Sequence, residues 1–542
     1  VKAEEFLKSY FNKNGIMDIK EYINPNIGFV NSSNMLKNIH KAYEIVKGNL
    51  NRKIFIQIDA DVDGYTSASI LYRFLKYINP NSDIKWRVQE GKQHGIKLEY
   101  LNGENFDLII IPDAGSDSYD DFKNIKNNMN TNILVLDHHH ISNNMDEVCV
   151  LVNCTDGDYD NKNLCGAGVV QKFIEYYCNM ENIEYQYDYD LLALGLIADM
   201  MTVKNMENRY YIKNGLVNIR HELIKQTISS LPYEFRLGNT IKNIGWYIAP
   251  RINAIVRFGS QSDKELLFNA LISNDEMTCK ESIVANERNK NKQDRAVRKY
   301  YDMIENQIST EGINIIDYTG MKIDSNVSGL LANKIAQNTN SPCLFVKVDE
   351  NGIYGGSCRG GNAKDFKSYL ELSGLFDKCA GHNNALGILF NSNNLENIKK
   401  YFLTSKYEKQ DMLDEVELEI NAKDIDYEFL KRVSNYCRLF GNDLKEPQFK
   451  IIVNDMQTKN IKKTNDKSTI YFDYNGMSFV KKYTRKNEID DIKCYNRNGL
   501  QGANKTVLLE LICTMTHDGL GDELNPCLKI IDFKSIENKN IF

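Results

Sequence analysis

No apolar run in this 542-residue sequence is long enough to cross a membrane, and no signal-peptide pattern follows Val1. No membrane role is expected, and the reading places the protein in the cytoplasm. A C-x-x-C pair is also missing. The twelve cysteines are scattered from Cys149 to Cys527, which argues against a disulfide framework or a zinc site and for reduced thiols. There is no basic surplus. The formal net charge is −6, so contact with nucleic acid requires a local basic groove. Histidine is scarce: of eight in the chain, three stand together at His138-His139-His140. Otherwise the composition, 42% hydrophobic and 26% charged, is that of a globular protein. The length predicts about three or four domains.

What the chain does carry is acid and histidine at the ends of apolar runs. Ile133-Leu134-Val135-Leu136 runs into Asp137 and the three histidines. Ile54-Phe55-Ile56-Gln57-Ile58 runs into Asp59-Ala60-Asp61-Val62-Asp63-Gly64, and Leu108-Ile109-Ile110-Ile111-Pro112 into Asp113-Ala114-Gly115. Each run reads as a short strand. In an open parallel α/β sheet, ligands and catalytic groups gather at the carboxyl edge. A single Asp after a strand is often a helix N-cap or a turn former. Three segments sharing the pattern predict one site at one sheet edge. Trp86-Arg87-Val88 and Val150-Leu151-Val152-Asn153 read as further strands, with Gly91 to Gly95 as a loop. A helix is predicted from about Asn34 to Val46, stopped by Gly48. Another starts after Gly64, its hydroxyl-rich first turn beside the acidic loop suiting phosphate.

Leu164-Cys165-Gly166-Ala167-Gly168 opens a helix through a glycine-rich turn, a weak signal that close packing explains equally well. Leu191 to Ala198 reads as a buried helix ending in Asp199. Negative charge there opposes the helix dipole, which a bound cation relieves and a solvated end tolerates. Residues 276–309 lack Gly and Pro and are richly charged. They predict a long exposed connector helix, its basic residues either a solvated face or a track for a phosphate backbone. A second α/β unit starts near residue 313. Its Tyr354-Gly355-Gly356-Ser357-Cys358-Arg359-Gly360-Gly361 reads as a glycine-rich loop, either a plain turn or a phosphate cradle. Ala380-Gly381-His382 repeats the theme. From about residue 410 five β runs follow, and a five-stranded barrel of the OB type fits, as does another small β domain. Basic loops at 459–463 and 481–485, with Tyr471, Tyr474, Phe479 and Tyr483 around them, suit single-stranded nucleic acid or are ordinary surface loops.

Taken in order, these segments resemble the DHH phosphoesterase superfamily, and within it the RecJ-like single-strand exonucleases. Asp59-Ala60-Asp61-Val62-Asp63-Gly64 resembles the first motif, Asp113 the second, and Asp137-His138-His139 the motif that names the family. Asn153, Leu164 to Gly168 and Gly195 to Asp199 resemble those that follow. Glu207-Asn208-Arg209 and Pro250-Arg251-Ile252-Asn253-Ala254 with Arg257 resemble the RecJ branch. Gly356-Ser357-Cys358-Arg359 and Gly381-His382 resemble the DHH-associated domain. Phe440-Gly441-Asn442 with Glu446-Pro447 resembles the entry to an OB-type domain.

The expected architecture is therefore α/β: a parallel-sheet DHH domain with N-terminal helices over 1–273, a connector helix over 274–310, a DHH-associated substrate domain over 311–407, and a β-rich, OB-like domain over 408–542. Carboxylates and an imidazole without a thiolate suit Mn²⁺ or Mg²⁺. The expected ligands of two ions are Asp59, Asp61, Asp113, His138 and Asp199. Asp113, and with it Asp199, would bridge them. His139 is expected to contact the scissile phosphate or assist the leaving group, and Asp63 to orient a ligand. The resemblance assigns Arg251 or Arg257, with Ser357, Arg359 and His382, to a substrate phosphate. It implies a 5′→3′ single-strand DNA exonuclease releasing 5′-mononucleotides in DNA repair, recombination or replication. The enzyme would be a monomer, with a single-strand-binding protein or other replication or repair proteins as partners. Two rivals are a phosphodiesterase for cyclic dinucleotides or short oligonucleotides and a non-catalytic relative that binds DNA or the replisome. The long connector and extra β domain argue against the first, and the intact acids and histidines against the second.

Overall fold

A computed structural model describes residues 3–90, 94–141, 143–231, 240–409, 416–463, 469–482, 506–518 and 525–537. The chain opens with helices α1 (Ala3–Lys13) and α2 (Ile39–Asn49). The second starts later than the apolar spacing predicted. Asn38 takes a left-handed φ of 62°, which breaks the helix before Ile39 and leaves Ser33–Met35 as one 3₁₀ turn.

Strands β1 (Lys53–Ile58), β2 (Asp83–Val88), β3 (Leu108–Pro112), β4 (Asn132–Asp137) and β5 (Val150–Asn153) follow. Helix α3 (Val62–Ile78) leaves the end of β1. Helices α4 (Gly166–Glu181) and α5 (Tyr189–Ala198) come after β5. The five strands form one parallel sheet in the order β2-β1-β3-β4-β5. Period-two alternation splits its side chains between two cores. Ile54, Ile56 and Ile58 join one, and Phe55 with Ile109, Ile111 and Val135 the other. Covered on both faces, β3 is apolar throughout, as a central parallel strand must be. The strand order reverses between β1 and β3, the kind of switch point at which open α/β sheets bind ligands.

Helix α6 (Ala249–Phe258) and the 29-residue helix α7 (Glu276–Ile304) come next, the latter where a connector was expected. Two compact units emerge from the described residues. One draws on 1–256, 260–285 and 416–542, the other on 257–259 and 286–415.

The second unit holds β6 (Asn314–Asp317), helix α8 (Ser328–Thr339), β7 (Cys343–Val348), β8 (Ile353–Arg359), β9 (Lys378–His382) and β10 (Ala385–Asn391). The sheet order is β6-β7-β8-β10-β9. This corrects the reading of 354–361 as a loop. Residues up to Arg359 form a strand paired on both sides, with β7 and β10. Its glycines serve close packing, because a Cβ on Gly356 would lie 2.1 Å from the Phe345 carbonyl oxygen. The Gly381-His382 stretch is likewise strand β9, paired with β10.

The C-terminal part of the first unit is β-rich, as expected. Its strands are β11 (Val416–Asn421), β12 (Gln448–Gln457), β13 (Lys462–Lys463), β14 (Thr469–Tyr474), β15 (Met477–Lys482), β16 (Thr506–Asp518) and β17 (Asn525–Glu537). Among the described residues seven strands, not five, line up as β11-β12-β16-β17-β15-β14-β13. The two additions are β13 and β15, both within stretches read as basic loops or their surroundings. Alternation along β15 turns Met477 and Phe479 into the core, and Phe479 stacks on Phe472 at 4.9 Å. Phe479 is thus a core residue and not a platform for bases. Lys481 is also drawn in, donating to the Ile531 carbonyl at 2.9 Å. Residues 483–485 lie outside the described residues. Helix α1 packs on this region, Phe6 against Phe429 and Phe449. The loop after α5 is tied to it as well, since Asp443 accepts from Thr202 and from the Val203 N–H.

Candidate metal centre

Four of the acids come from the ends of β1 and β3. Asp61 caps α3, accepting from the Gly64 N–H at 2.9 Å. Asp63, buried in the first turn of α3, accepts from the N–H groups of Gly166 at 2.6 Å and Ala167 at 3.1 Å. Those are free donors at the positive end of α4. Asp59 is buried. Asp113 ends β3 with a left-handed φ of 65°, its N–H donating to the Leu136 carbonyl at 2.8 Å. Gly166 leaves room for it, because a Cβ there would lie 2.5 Å from Asp113 Oδ1. Both Asp113 carboxylate oxygens, and Oδ1 of Asp59, are buried without a hydrogen-bond partner.

Strand β4 supplies the histidines. His138 Nε2 lies 3.2 Å from Asp113 Oδ1, 3.4 Å from Asp199 Oδ2 and 3.9 Å from Asp63 Oδ2. Asp199 is the residue at which α5 ends. Both oxygens of Asp137 are occupied by hydrogen bonds. Its Oδ1 accepts from the His138 N–H at 2.7 Å, the His139 N–H at 3.2 Å and His139 Nδ1 at 2.8 Å. Its Oδ2 accepts from the Ser116 N–H at 3.0 Å. Asn153 completes the frame, donating to Ser116 Oγ and to the His139 carbonyl.

The electrostatics follow from this packing. Burial, then the charges of Asp63, Asp61, Asp59 and Asp199, push the Asp113 carboxyl well above the carboxylate range. Burial, with Asp63 and Asp61, raises Asp199 to about 8. Burial holds His138 below the ordinary histidine value, so it is a neutral ligand-type imidazole at pH 7. Burial would do the same to His139, but the hydrogen bond it donates to Asp137 outweighs this and raises His139 to about 9. The site thus places a cation, His139, beside a cluster of acids in which both oxygens of Asp113 and one of Asp59 lack a hydrogen-bond partner.

Orphaned buried oxygens beside a neutral imidazole are what a divalent ion with oxygen and nitrogen ligands would satisfy. Three overlapping groups place candidate ligand atoms within 4.8 Å of one another: Asp59-Asp61-Asp113, Asp63-His138-Asp199 and Asp113-Asp137-His138-His139. All five expected ligands, with Asp63 and His139, converge here.

The expected phosphate residues are drawn from both units. Arg251 lies on α6 in the first unit and donates from Nη1 to the Tyr247 carbonyl at 2.7 Å. Arg257 belongs to the second unit, as do Ser357 and Arg359 at the end of β8. There Ser357 Oγ is 2.9 Å from Ser328 Oγ, on the first residue of α8. Arg359 donates to the Cys358 carbonyl, and no carboxylate pairs with it among the described residues. His382 closes β9; its side chain lies outside the described residues.

One residue escaped the sequence reading. His94 Nδ1 lies 2.7 Å from Asp59 Oδ2, and its ring is 65% exposed. The only signal was a scarce histidine in a loop before Gly95. Held through Oδ2, Asp59 keeps the orphaned Oδ1 available to an ion. His94→Ala is expected to weaken Mn²⁺ binding roughly ten-fold or more, measured by calorimetric titration. An unchanged affinity would remove His94 from the centre.

The comparisons follow the same lines. The model of the DHH family, N-terminal domain, matches residues 53–198. YorK of the SPbeta prophage in Bacillus subtilis strain 168, whose name provisionally makes it a single-strand DNA-specific exonuclease, is 30% identical over 566 residues. That alignment covers 98% of this chain and 96% of YorK. The single-stranded-DNA-specific exonuclease RecJ of Bacillus subtilis is 24% identical over 490 residues, covering 86% of this chain and 59% of that one. Among solved structures, RecJ of Thermus thermophilus in complex with Mn²⁺ superposes with a TM-score of 0.75 at 18% identity. It covers 97% of this chain and 75% of that one. The same protein with Mg²⁺ gives 0.70.

Proposed function

The chain belongs to the DHH family, in its RecJ-like branch, and from that footing we propose that it is a metal-dependent nuclease that degrades single-stranded DNA from the 5′ end to 5′-mononucleotides. The observation that carries this reading is the pair of orphaned Asp113 oxygens, buried among Asp59, Asp61, Asp199 and His138. Asp59, Asp61, Asp113, His138 and Asp199 would hold two divalent ions, Mn²⁺ or Mg²⁺. Bound ions supply Lewis acidity, acidifying water and offsetting charge on the phosphoryl oxygens. The rest of the chemistry falls to the protein. Asp63, pinned by the N-terminus of α4, fixes the geometry around His138. Asp137 orients His139 and keeps it protonated at neutral pH. His139 then donates a hydrogen bond to the scissile phosphate, or a proton to the leaving oxygen. Ser357 and Arg359, with Arg251, Arg257 and His382, are proposed to take the terminal phosphate. Arg359, with no carboxylate paired to it among the described residues, suits an anion. A role in DNA repair, recombination or replication, beside a single-strand-binding protein or alone, fits such an activity.

The test is incubation of the purified protein with single-stranded DNA labelled at either end. With Mn²⁺ or Mg²⁺ the 5′ label is expected to leave as a mononucleotide while the 3′-labelled strand shortens progressively. With EDTA neither should change. Digestion confined to very short oligonucleotides would overturn the polymer substrate. Release of the 3′ label first would overturn the polarity.

A further inference from the structure

The metal centre accounts for the acids and histidines but not for a tryptophan on a turn packed against the helix that presents Asp199. The chain has two tryptophans. Trp86 packs on Phe268 with ring centroids 4.8 Å apart. Trp246 is 68% exposed, more than any other described aromatic side chain. A solvated indole forfeits the apolar burial that a tryptophan normally contributes. The segment around it is not loose. Ile244 and Ile248 on either side are each 1% exposed and sit in the main core. The backbone of Ile244–Ile248 is a single π-helical turn, closed by the Ala249 N–H on the Ile244 carbonyl. Such turns recur at functional sites. Its place in the fold is specific: Gly245 packs against Ile197, two residues before Asp199. Arg251 follows five residues on and is fixed to the turn through the Tyr247 carbonyl.

An exposed, rigidly held indole thus stands one residue from the contact with the helix that presents Asp199, with a guanidinium on the next turn. We infer that Trp246 is a stacking platform for an unpaired nucleobase of the strand bound at the metal centre. A base offers a π-face whatever its identity, and a neighbouring cation can meet the backbone. Inside a duplex both faces of a base are already covered by its neighbours. The site therefore selects for single strands without reading sequence. The inference rests on the single-strand reading proposed above.

With only two tryptophans, fluorescence reads the contact directly. The Trp86→Phe, Asp113→Asn protein with Mg²⁺ retains Trp246 as its one tryptophan and should not cut the strand. Single-stranded oligothymidylate is expected to quench its emission, and a relaxed circular duplex, which has no ends, to leave it unchanged. In the Asp113→Asn background, Trp246→Phe should abolish the quench and Trp246→Ala should weaken binding roughly ten-fold. Binding measured independently by anisotropy, without any quench of Trp246, would overturn the stacking role and leave the nuclease reading standing. Equal quenching by duplex would overturn the selection for single strands. No binding of DNA by any probe would overturn both.

Discussion

Asp113→Asn is expected to abolish nuclease activity, by roughly a thousand-fold or more, and yet to raise the melting temperature of the metal-free protein by about 2–6 °C. The two effects have one cause. In the metal-free protein the Asp113 carboxylate is buried, has no hydrogen-bond donor and faces Asp63, Asp61, Asp59 and Asp199. An amide of the same shape removes that charge and can donate to a neighbouring carboxylate. Asparagine also tolerates the left-handed φ of 65° at this position. The sign with pH is fixed. A carboxyl raised in the folded state destabilises only above its unfolded value near 4, increasingly until pH reaches the raised folded value, and by a constant amount beyond it. The variant's advantage should therefore vanish below about pH 4, grow as pH rises from there, and then level off. Saturating Mn²⁺ should reverse the order, stabilising the parent protein and not the variant. Differential scanning fluorimetry across pH, with and without metal, reads all of this. A variant that keeps full activity would remove Asp113 from the centre.

Asp137→Asn is expected to be costly in both stability and activity. Asp137 is fully buried and its carboxylate takes four hydrogen bonds, from Ser116, from the His138 N–H and two from His139. An amide presents an NH₂ to donors on one side, leaving a buried N–H unsatisfied at roughly 2 kcal/mol. Burial alone would raise the Asp137 carboxyl, but the hydrogen bond and charge of His139, with His138, hold it well below the usual range. That contribution is present above about pH 4 and is lost as pH falls through the depressed value. The matching contribution of His139 is full below about pH 6.5 and is lost as pH rises through about 9. The stability gap between parent and variant should thus be widest from about pH 4 to 6.5 and narrow toward pH 9. His139 should titrate nearer 6.5 in the variant, observable by NMR. Activity should fall roughly 10–100-fold, since the positions of both histidines depend on this carboxylate. A variant with unchanged His139 titration would show that another group sets its charge.

Both predictions use residues that local pattern already exposed. Apolar runs ending in Asp59, Asp113 and Asp137 were readable because a buried parallel strand must be apolar along its length and must stop where polarity returns. The acid ending α5 was readable because it opposes the helix dipole. The long helix α7 was readable because nothing in it breaks a helix. The Gly355-Gly356 stretch misled because glycine marks both loops and tightly packed strands. Only the carbonyl of Phe345, on the neighbouring strand, tells which. Phe479 misled similarly: an aromatic flanked by lysines is surface or core according to which face of β15 it occupies.

By itself, the sequence determined the strands of the parallel sheet, which acids and histidines stand at their ends, and what kind of ion they suit. Each of these depends on a few neighbouring residues. The tertiary structure alone decided that β1 and β3 are adjacent at the reversal of strand order, so that Asp59 and Asp113 meet. It alone decided that Asp137 holds the histidines, that His94 closes on Asp59, and that Trp246 stands exposed on a turn packed against the helix that presents Asp199. Most of these are contacts between residues tens of positions apart. Their energies arise only when burial strips the carboxylates of water and leaves them backbone N–H groups, the histidines, one another and a cation as partners.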